Sequence, residues 1–338
     1  MKAVVLEGPG QAAIHEAPEP AHGHARDVLL QVRKVGLCGS DLNSYRGRNP
    51  MVTYPRIPGH EVAATVAETN PNAPEWAAGT AVTLSPYSNC GRCAACLRDR
   101  PNACQFNQTL GVQRDGALTE RIVVPASRLF RADLTLKELC LVEPLTVGFH
   151  AAARGRVEAR DTVAVFGCGG VGLGAVAGAA FRGATVIGID LDDEKLATAH
   201  KAGATHAINT AREDLHAKLA ELTDGRGPDV VIEAIGLPLT FRAAVEEVAF
   251  TGRVVYIGYA KEQVAYETRL FVQKEIDILG SRNAQPEDFR DTIRMLEAGR
   301  FPVDDAVTHI APMEETPAIL EAWRQAPSQF TKIMIEIS

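Results

Sequence analysis

The run Val163-Ala164-Val165-Phe166-Gly167-Cys168-Gly169-Gly170-Val171-Gly172 decides the fold of this chain. A short apolar stretch of β-strand character meets glycines in the spacing G-x-G-x-x-G, and a stretch of helical character follows from Val171. Asp190 lies at the end of the next predicted strand. A strand, a glycine turn, a helix and a later acidic residue predict a dinucleotide-binding βαβ unit. The alternative is a structural glycine turn followed by a solvent-exposed aspartate.

The residues of the glycine run have distinct expected roles. Gly167 permits a tight turn, Gly169 lets a pyrophosphate approach the backbone, and Gly172 lets the helix pack closely on the strand. Gly170 and Val171 open the helix, whose unpaired N–H groups point towards the phosphates. We therefore expect these five residues to bind the cofactor.

Asp190 indicates which dinucleotide binds. Its carboxylate would accept hydrogen bonds from the hydroxyl groups of the adenosine ribose, and it would repel a 2′-phosphate. The following Leu191-Asp192-Asp193 offers no arginine that would attract such a phosphate. The sequence therefore favours NAD over NADP.

Length, composition and charge narrow the class of protein. The chain has 338 residues, of which 46% are hydrophobic, and this predicts a globular protein of about two domains. Its net charge is −7 and it contains no basic run, so we expect no nucleic-acid partner. The N-terminus lacks the apolar stretch of a secretory signal, which favours a cytoplasmic location.

Residues 162–181 form an uncharged run that is long enough to cross a bilayer. The run contains six glycines and few bulky apolar side chains. Its β-type start meets the glycine turn instead of continuing as a helix. We therefore interpret it as part of the dinucleotide-binding unit, and we expect no association with a membrane.

The pattern of the chain changes between its first and middle parts. Before about residue 150, short β-type runs alternate with Gly, Pro and Asn, which predicts a loop-rich antiparallel domain. From residue 161, apolar strands alternate with helical stretches, which predicts a doubly wound parallel sheet. The strands predicted in the first part are 28–32, 62–66, 81–84 and 121–124. Those predicted in the second are 163–166, 185–189, 230–233, 254–259 and 276–280, with helices at 171–182, 193–202 and 239–249.

The end of the chain resembles its beginning in pattern. After about residue 283 come two helical stretches and a final predicted strand, 332–336. We therefore expect an α/β protein in which residues 1–150 and 285–338 form a β-rich domain. Residues 151–284 would form the dinucleotide-binding domain.

Four of the seven cysteines lie close together, at Cys90, Cys93, Cys96 and Cys104. In a reducing cytoplasm, such a cluster favours metal binding or catalysis over disulfides. Four thiolates at short spacing suit a closed, tetrahedral, structural zinc site in a lobe near residues 88–106. The usual bacterial iron–sulfur run, in which the fourth cysteine follows after three residues and precedes a proline, fits less well. Free thiols are the remaining alternative.

Six motifs together give the chain a family resemblance over nearly its whole length. They are Gly36-Leu37-Cys38-Gly39-Ser40-Asp41, Pro58-Gly59-His60-Glu61, the four-cysteine segment, Val142-Glu143-Pro144-Leu145, the glycine run 167–172 and Asp229-Val230-Val231-Ile232-Glu233-Ala234-Ile235-Gly236. In this combination the chain resembles the zinc-dependent medium-chain dehydrogenase/reductase superfamily. The resemblance implies a GroES-like catalytic domain built from both chain ends, a Rossmann domain between them, and Gly236 as a further cofactor-binding residue.

The resemblance also implies a second zinc ion per chain, in a catalytic site. Its protein ligands would be Cys38, His60 and Glu143, while Glu61 would either bind the metal directly or act through its water. Glu143 in place of a second cysteine is similar to the sorbitol-dehydrogenase-like branch. An open zinc site lowers the pKa of a substrate hydroxyl, and NAD then takes the hydride. Ser40 would pass on the proton.

The expected substrate is a small polyhydroxylated molecule. Fainter motif matches resemble family members that act on polyols, sugar acids and sugar phosphates. Arg114 and Arg282 are candidates for binding an acid group, since a guanidinium pairs well with carboxylate or phosphate. Ordinary solvated surface is the alternative for each of them. The expected reaction oxidises a secondary alcohol, for example of a hexonate, to the ketone.

One position departs from the family pattern. Many members have histidine at the outer end of a proton relay where this chain has Asn43, so we expect water or the ribose to complete the path. Two other functions stay open, an L-threonine-type amino-alcohol dehydrogenase and a non-catalytic NAD-binding sensor. The resemblance also implies a homodimer or homotetramer.

Overall fold

The computed structural model describes residues 1–338, apart from the side chain of Ser328. Contacts between residues divide the chain into two compact units. The first unit comprises Met1–Glu143 and Val303–Ser338, and the second comprises Pro144–Pro302. The sequence-based boundaries, near residues 150 and 285, differ from these. The first change of unit falls inside one continuous helix, Leu136–Arg154, so no break in secondary structure marks it.

The regular elements follow one another from a β-rich first part to an alternating second part. Before the middle of the chain lie β1 (Lys2–Gly8), β2 (Gln11–Glu16), β3 (Asp27–Leu37), α1 (Gly39–Tyr45), β4 (Glu61–Val66), β5 (Ala81–Leu84), β6 (Tyr87–Ser88), β7 (Gln108–Thr109), β8 (Arg121–Pro125), β9 (Leu129–Arg131) and α2 (Leu136–Arg154). The alternating part contains β10 (Thr162–Phe166), α3 (Gly170–Phe181), β11 (Thr185–Asp190), α4 (Asp193–Lys201), β12 (His206–Asn209), α5 (Leu215–Leu222), β13 (Val230–Glu233), α6 (Pro238–Glu247), β14 (Arg253–Tyr256), α7 (Arg269–Gln273), β15 (Asp277–Gly280) and α8 (Pro286–Glu297). The chain ends with α9 (Val303–Ala306), β16 (His309–Pro312), α10 (Thr316–Gln325) and β17 (Ile333–Glu336). Short 3₁₀ turns lie at Cys96–Arg98, Pro101–Ala103, Ala126–Arg128, Met313–Glu315 and Pro327–Gln329.

The first unit is built on a seven-stranded sheet. Its strand order is β16-β17-β3-β4-β5-β9, and β8 also pairs with β3. The C-terminal strand β17 pairs antiparallel with β3, so that Ile333 lies opposite Leu37. On its other side β3 pairs antiparallel with β4, with Gly36 opposite Glu61. The end of β3, the start of β4 and the start of β17 therefore lie side by side at one end of the strands.

The second unit is built on a six-stranded parallel sheet of order β12-β11-β10-β13-β14-β15. This is the doubly wound order, in which the strand sequence reverses beside the first strand, β10. Val163, Ala164 and Val165 of β10 are fully buried, as expected for a central strand covered on both faces. The glycine turn thus lies at the carboxyl end of the strand where nucleotides bind in such sheets.

The uncharged run 162–181 is accounted for by β10 and the packing of α3. A Cβ on Gly174 would lie 2.7 Å from the carbonyl oxygen of Leu145, and one on Gly178 would lie 2.9 Å from Cα of Phe149. These glycines therefore let α3 approach the backbone of α2 closely. Among the described residues, no helix combines the length and the apolar character that crossing a membrane requires.

The predicted α/β fold class is confirmed, with its β-rich part and its parallel sheet. The strand β12 was not predicted, because His206-Ala207-Ile208-Asn209 is short and half polar. The predicted strand 254–259 ends earlier, at Tyr256. The predicted final strand is present as β17, and its pairing with β3 joins the two ends of the chain in one sheet.

Candidate functional site

Cys38 lies where β3 passes into α1. It occupies the N-cap position of α1, with extended backbone dihedrals of φ −102° and ψ 158°. Asp41, in the first turn of the helix, accepts a hydrogen bond from the Cys38 backbone N–H at 2.9 Å. This local N-terminal contact fixes the backbone of Cys38 at the end of a buried strand.

His60 and Glu61 lie at the start of β4, beside Cys38. One donor atom from each of Cys38, His60 and Glu61 lies within 4.8 Å of the others, and His60 and Glu61 are buried. Gly36, opposite Glu61, makes this approach possible, because a Cβ there would lie 2.1 Å from a Glu61 carboxylate oxygen. The structure thus brings together three of the four predicted ligands of the catalytic metal.

Lys332 holds the Glu61 carboxylate. Its Nζ lies 2.6 and 2.7 Å from the two oxygens of Glu61, and both side chains are buried. Burial alone would lower the pKa of Lys332, but the charge of Glu61 raises it. The pairing of β17 with β3 places Lys332 at this point, where its Nζ also lies 3.4 Å from the carbonyl oxygen of Leu37. The carboxylate of Glu61 is therefore neutralised by a protein cation.

Glu143 is the fourth predicted ligand, and it lies in α2. It is buried, but it is not among the three residues whose donor atoms lie within 4.8 Å of one another. Tyr87, also buried, donates a hydrogen bond from its hydroxyl to Oε1 of Glu143. Burial raises the pKa of Glu143 to about 7, although the positive charge of His60 opposes this shift. Burial also raises the pKa of Tyr87 well above its usual value, so Tyr87 stays a donor.

Asp41 faces His60 across the site. Burial would lower the pKa of His60, but the charges of Asp41, Cys38 and Glu143 outweigh it and raise that pKa well above its usual value. Nδ1 of His60 lies 3.8 Å from Oδ1 of Asp41, too far for a hydrogen bond, and it has no hydrogen-bond partner among the described residues. The imidazole therefore lies in a strongly negative pocket.

This donor set fits a zinc ion. A thiol, an imidazole and carboxylates in a buried, negatively charged site are the ligands that zinc takes in proteins. The hydroxyl oxygen of Ser40 is buried and has no hydrogen-bond partner among the described residues. A buried polar atom without a partner is costly, so Ser40 is poised to bond to a group that enters the site.

The four cysteines of the lobe also converge. Cys90, Cys93, Cys96 and Cys104 offer sulfur atoms within 4.8 Å of one another. The Cys93 sulfur lies 3.6 Å from that of Cys96 and 3.8 Å from that of Cys104. Backbone N–H groups, chiefly that of Cys96, lower the pKa of Cys93 to about 6, whereas burial raises the pKa of Cys104 to about 11. The pair of strands β6 and β7 closes the loop that carries these thiols, as a closed structural zinc site requires.

The glycine turn of the second unit has the geometry that a dinucleotide needs. Gly167 has a φ of +93°, which favours glycine, and a Cβ on Gly172 would lie 1.8 Å from the Gly167 carbonyl oxygen. Gly169 differs, since a Cβ there would meet no described atom within 4 Å. Gly170 and Val171 open α3. The space at Gly169 and the free N–H groups of α3 together form a cradle for a phosphate.

Asp190 ends β11 beside this turn. Its Oδ2 accepts a hydrogen bond from the Cys168 backbone N–H at 2.8 Å, and its Oδ1 accepts from those of Leu191 and Asp192 at 2.8 and 3.2 Å. The backbone therefore fixes the direction of the carboxylate. Gly236, after β13, has a φ of +86°, and a Cβ there would lie 2.9 Å from the backbone nitrogen of Tyr259.

The candidate substrate-binding arginines lie in different units. Arg114 belongs to the first unit, in the loop 110–118, whose Gly111 and Gly116 pack against the backbone of Pro58 and Gly59. Its Nε is buried without a hydrogen-bond partner among the described residues, and burial lowers the pKa of its guanidinium. Arg282 belongs to the second unit, just after β15. Of the two arginines, only Arg114 belongs to the same unit as the loop that carries His60.

Three residues of the site had no role predicted from the sequence. Asp41 lies inside the Cys38 motif, where its spacing from the N-cap is a usable signal for a capping contact. Lys332 directly precedes the apolar residues at the start of β17, which is an unusual place for a lysine and a second usable signal. Tyr87 carries no such signal, because only the folded lobe brings it to Glu143.

Two protein families match the chain, and each covers one part of it. The alcohol dehydrogenase GroES-like domain matches residues 24–133, and the zinc-binding dehydrogenase domain matches residues 170–298. Sorbitol dehydrogenase of Bacillus subtilis is 34% identical over 99% of this chain and 97% of its own length. L-galactonate-5-dehydrogenase of Escherichia coli is 29% identical over 92% of each chain.

A solved structure is similar over the whole chain. It is described as a short-chain alcohol dehydrogenase from E. coli CFT073 complexed with the cofactor NADH. The two share 28% sequence identity and a TM-score of 0.90, and the match covers 100% of this chain and 99% of that one.

Proposed function

The chain belongs to the zinc-dependent medium-chain dehydrogenase superfamily, in its polyol and sugar dehydrogenase branch, and from this premise we propose that it oxidises a polyhydroxylated secondary alcohol with NAD. The observation that carries the proposal is the convergence of half-buried Cys38 with buried His60 and Glu61, while buried Glu143 is hydrogen-bonded by Tyr87. A merely structural role does not account for this donor set. A non-catalytic sensor would not need it either.

In the proposed reaction, some residues of the first unit would bind the metal and others would transfer the proton. Cys38, His60 and Glu143, with Glu61 as a direct or indirect ligand, would hold the zinc ion. When bound, zinc polarises the hydroxyl group of the substrate as a Lewis acid. Ser40, with its unpartnered hydroxyl, would take the proton that leaves this group and pass it outward. Water or the ribose would continue the path, since Asn43 cannot take up and release a proton.

The second unit would hold the cofactor at the glycine turn. The turn fits a pyrophosphate because the space beside Gly169 is open and the N-terminus of α3 offers N–H groups. The fixed carboxylate of Asp190 would bind the adenosine ribose, which favours NAD over NADP. When bound there, NAD would supply the hydride acceptor for the oxidation.

Arg114 supports a substrate that carries an acid group, such as a hexonate. Its partly buried guanidinium has no ion-pair partner among the described residues, and its loop packs against Pro58 and Gly59, next to His60. A partly buried guanidinium without an ion-pair partner is stabilised when a carboxylate or phosphate binds it. The relatives named for sorbitol and L-galactonate act on a neutral polyol and a sugar acid by their names, and both classes belong to the proposal.

A substrate panel tests the proposed function. The zinc-loaded protein is assayed for reduction of NAD and NADP with polyols, aldonates, sugar phosphates, L-threonine and simple primary alcohols. We expect activity with an aldonate or polyol and NAD, and loss of at least a thousandfold in Cys38→Ser. Activity confined to L-threonine would replace the substrate class, and activity confined to primary alcohols would contradict it.

Arg114→Ala tests whether Arg114 recognises the acid group of the substrate. We expect KM for an aldonate to rise at least tenfold, while KM for a neutral polyol stays within about twofold. Arg98→Ala, a change in an exposed lobe residue, is the matched control and should leave both values unchanged. Equal effects of Arg114→Ala on both substrates would show that this arginine does not select the acid group.

A further inference from the structure

A second candidate binding site lies in the first unit, at a cavity of about 440 Å³. Its lining consists of Pro9, Gly10, Arg46, Arg48, Glu321 and Arg324. None of these residues belongs to the candidate metal centre or to the glycine turn. Three arginines and one glutamate give the lining an excess of positive charge, in a protein whose net charge is −7.

The cavity is formed by a loop that packs tightly on the β1–β2 turn. Gly47 has a φ of +68°, and a Cβ there would lie 2.8 Å from side-chain atoms of Pro9. The backbone N–H of Gly10 donates to the carbonyl oxygen of Tyr45 at 2.6 Å, and the Tyr45 hydroxyl oxygen lies 3.1 Å from the Gly10 carbonyl oxygen. These contacts fix the backbone at Gly47, where the positive φ favours glycine. Arg46 and Arg48 lie on either side of Gly47 in the chain.

Glu321 does not leave a negative charge free in this cavity. Its carboxylate accepts hydrogen bonds from Nε and Nη2 of Arg324 at 2.8 and 2.5 Å, from Gln325 at 2.7 Å and from the Tyr45 hydroxyl at 3.1 Å. These donors, Arg324 first among them, lower the pKa of Glu321 to about 2. The glutamate therefore fixes Arg324 and is fully occupied in doing so.

Arg46 and Arg48 have no carboxylate partner. Arg46 donates from Nη2 to the backbone carbonyl of Arg324 at 2.6 Å, which leaves its charge uncompensated. Arg48 makes no side-chain hydrogen bond or ion pair among the described residues. Both residues line the same cavity, and neither of their guanidinium groups has a carboxylate partner among the described residues.

The cavity is separate from the candidate metal centre. Cys38 and Arg46 cap the two ends of α1, which places their Cα atoms about 12 Å apart at a rise of 1.5 Å per residue. Buried side chains of α1, including Leu42 and Tyr45, fill the space along the helix. A six-carbon substrate bound at Cys38 would not extend over this length of packed protein.

We propose that this cavity binds a phosphate dianion, free or as a small phosphate monoester. Guanidinium groups bind phosphate through paired, charge-assisted hydrogen bonds, and two unpaired ones match its double charge. The volume lies within the range of small-molecule sites and leaves room for a sugar attached to the phosphate. The site adds a ligand that the proposed dehydrogenase reaction does not use.

Calorimetric titration of the zinc-loaded full-length protein tests this proposal. The probes are inorganic phosphate and ribose 5-phosphate, at constant ionic strength set with chloride. We expect saturable binding that weakens at least tenfold in Arg48→Ala and in Arg46→Ala. Arg160→Ala is the matched control, because Arg160 is 84% exposed in the second unit, and it should bind like the wild type. Tighter binding of ribose 5-phosphate would assign the site to a monoester, and equal binding would assign it to free phosphate.

Cys38→Ser separates this proposal from the proposed function. Phosphate affinity should be unchanged in this variant, since the cavity does not contain Cys38. Loss of phosphate binding in Cys38→Ser, binding unaffected by Arg48→Ala and Arg46→Ala, or no saturable binding beyond the chloride background would each overturn the proposal. Thermal unfolding of each variant confirms that it is folded.

Discussion

Glu61 and Glu143 are two buried carboxylates whose charges are met in different ways. Lys332 pairs with both oxygens of Glu61 and supplies a full positive charge. Glu143 receives a hydrogen bond from a neutral donor, Tyr87, and burial raises its pKa to about 7. Burial keeps the pKa of Glu143 raised against the positive charges of His60 and Lys332. Binding of a metal cation would favour the charged form of this carboxylate.

Tyr87→Phe should weaken zinc binding without unfolding the protein. The change removes the hydrogen bond that orients the Glu143 carboxylate, and loss of such a contact to a metal ligand costs about 10–100-fold in affinity. Zinc affinity is measured by competition with a chelator. Tyr54→Phe, which removes a hydroxyl bonded to the Ser44 carbonyl, is the matched control and should bind zinc normally. Equal affinity of both variants would show that Tyr87 only fills space.

Zinc uptake at the catalytic site should rise with pH between 6 and 8. In the metal-free protein the raised pKa of Glu143, about 7, means that this carboxyl is mostly protonated at pH 6 and mostly charged at pH 8. A ligand must lose its proton to bind zinc, so the lower pH opposes uptake. Chelator competition at both pH values measures the slope, with Cys93→Ser protein used to remove the lobe site. In Glu143→Gln the slope should become shallower, and an unchanged slope would contradict the role of Glu143.

At the scale of elements, two glycines of the turn between β10 and α3 have different expected roles. Gly172 allows close packing, and Gly169 leaves space for the cofactor. Gly172→Ala would place a Cβ 1.8 Å from the Gly167 carbonyl oxygen, and we expect it to destabilise the protein by about 2–4 kcal/mol. Gly169→Ala meets no described atom within 4 Å and has an ordinary φ of −75°, so stability should change by less than about 0.5 kcal/mol. Its Cβ would occupy the space proposed for the pyrophosphate, and NAD affinity should fall at least tenfold. Thermal unfolding and NAD titration distinguish the two, and normal NAD binding by Gly169→Ala would place the phosphate elsewhere.

The same part of the chain shows why the sequence predicted the central strands of the parallel sheet well. It predicted the edge strand and the boundary of the unit less well. The apolar runs of β10 and β13 are fully buried, and burial on both faces produces the continuous hydrophobic pattern that a sequence displays. β12 lies at the edge of the sheet, where His206 and Asn209 interrupt that pattern. Helix α2 carries the change of unit through Glu143 and Pro144 without a turn. A boundary inside a continuous helix leaves no signal in composition or periodicity.

At the scale of the whole molecule, the candidate site depends on contacts between distant parts of the chain. The four lobe cysteines could be assigned to a metal from their own spacing, whereas Cys38, His60 and Glu143 were assigned as ligands only through the family resemblance. Lys332 reaches Glu61 only because β17 returns to pair with β3. Tyr87 reaches Glu143 only because β6 anchors the lobe. Such partners are separated by tens or hundreds of residues, and a single sequence carries no record of which of them meet.

The two predicted zinc sites should differ in what they stabilise, although each binds one ion per chain. The lobe has little core of its own, since its 3₁₀ turn Cys96–Arg98 buries no residue and Leu97 is 73% exposed. Zinc bonds must therefore hold the lobe together, as in other small metal-dependent folds.

Cys93→Ser should leave one zinc per chain, lower the melting temperature and expose the lobe to protease cleavage near residues 90–104. Cys38→Ser should also leave one zinc per chain, but Cys38 follows a buried strand of the seven-stranded sheet, so the lobe should stay resistant to protease while dehydrogenase activity is lost. Metal analysis together with limited proteolysis measures both, and equal protease sensitivity of the two variants would contradict the division into a structural and a catalytic site.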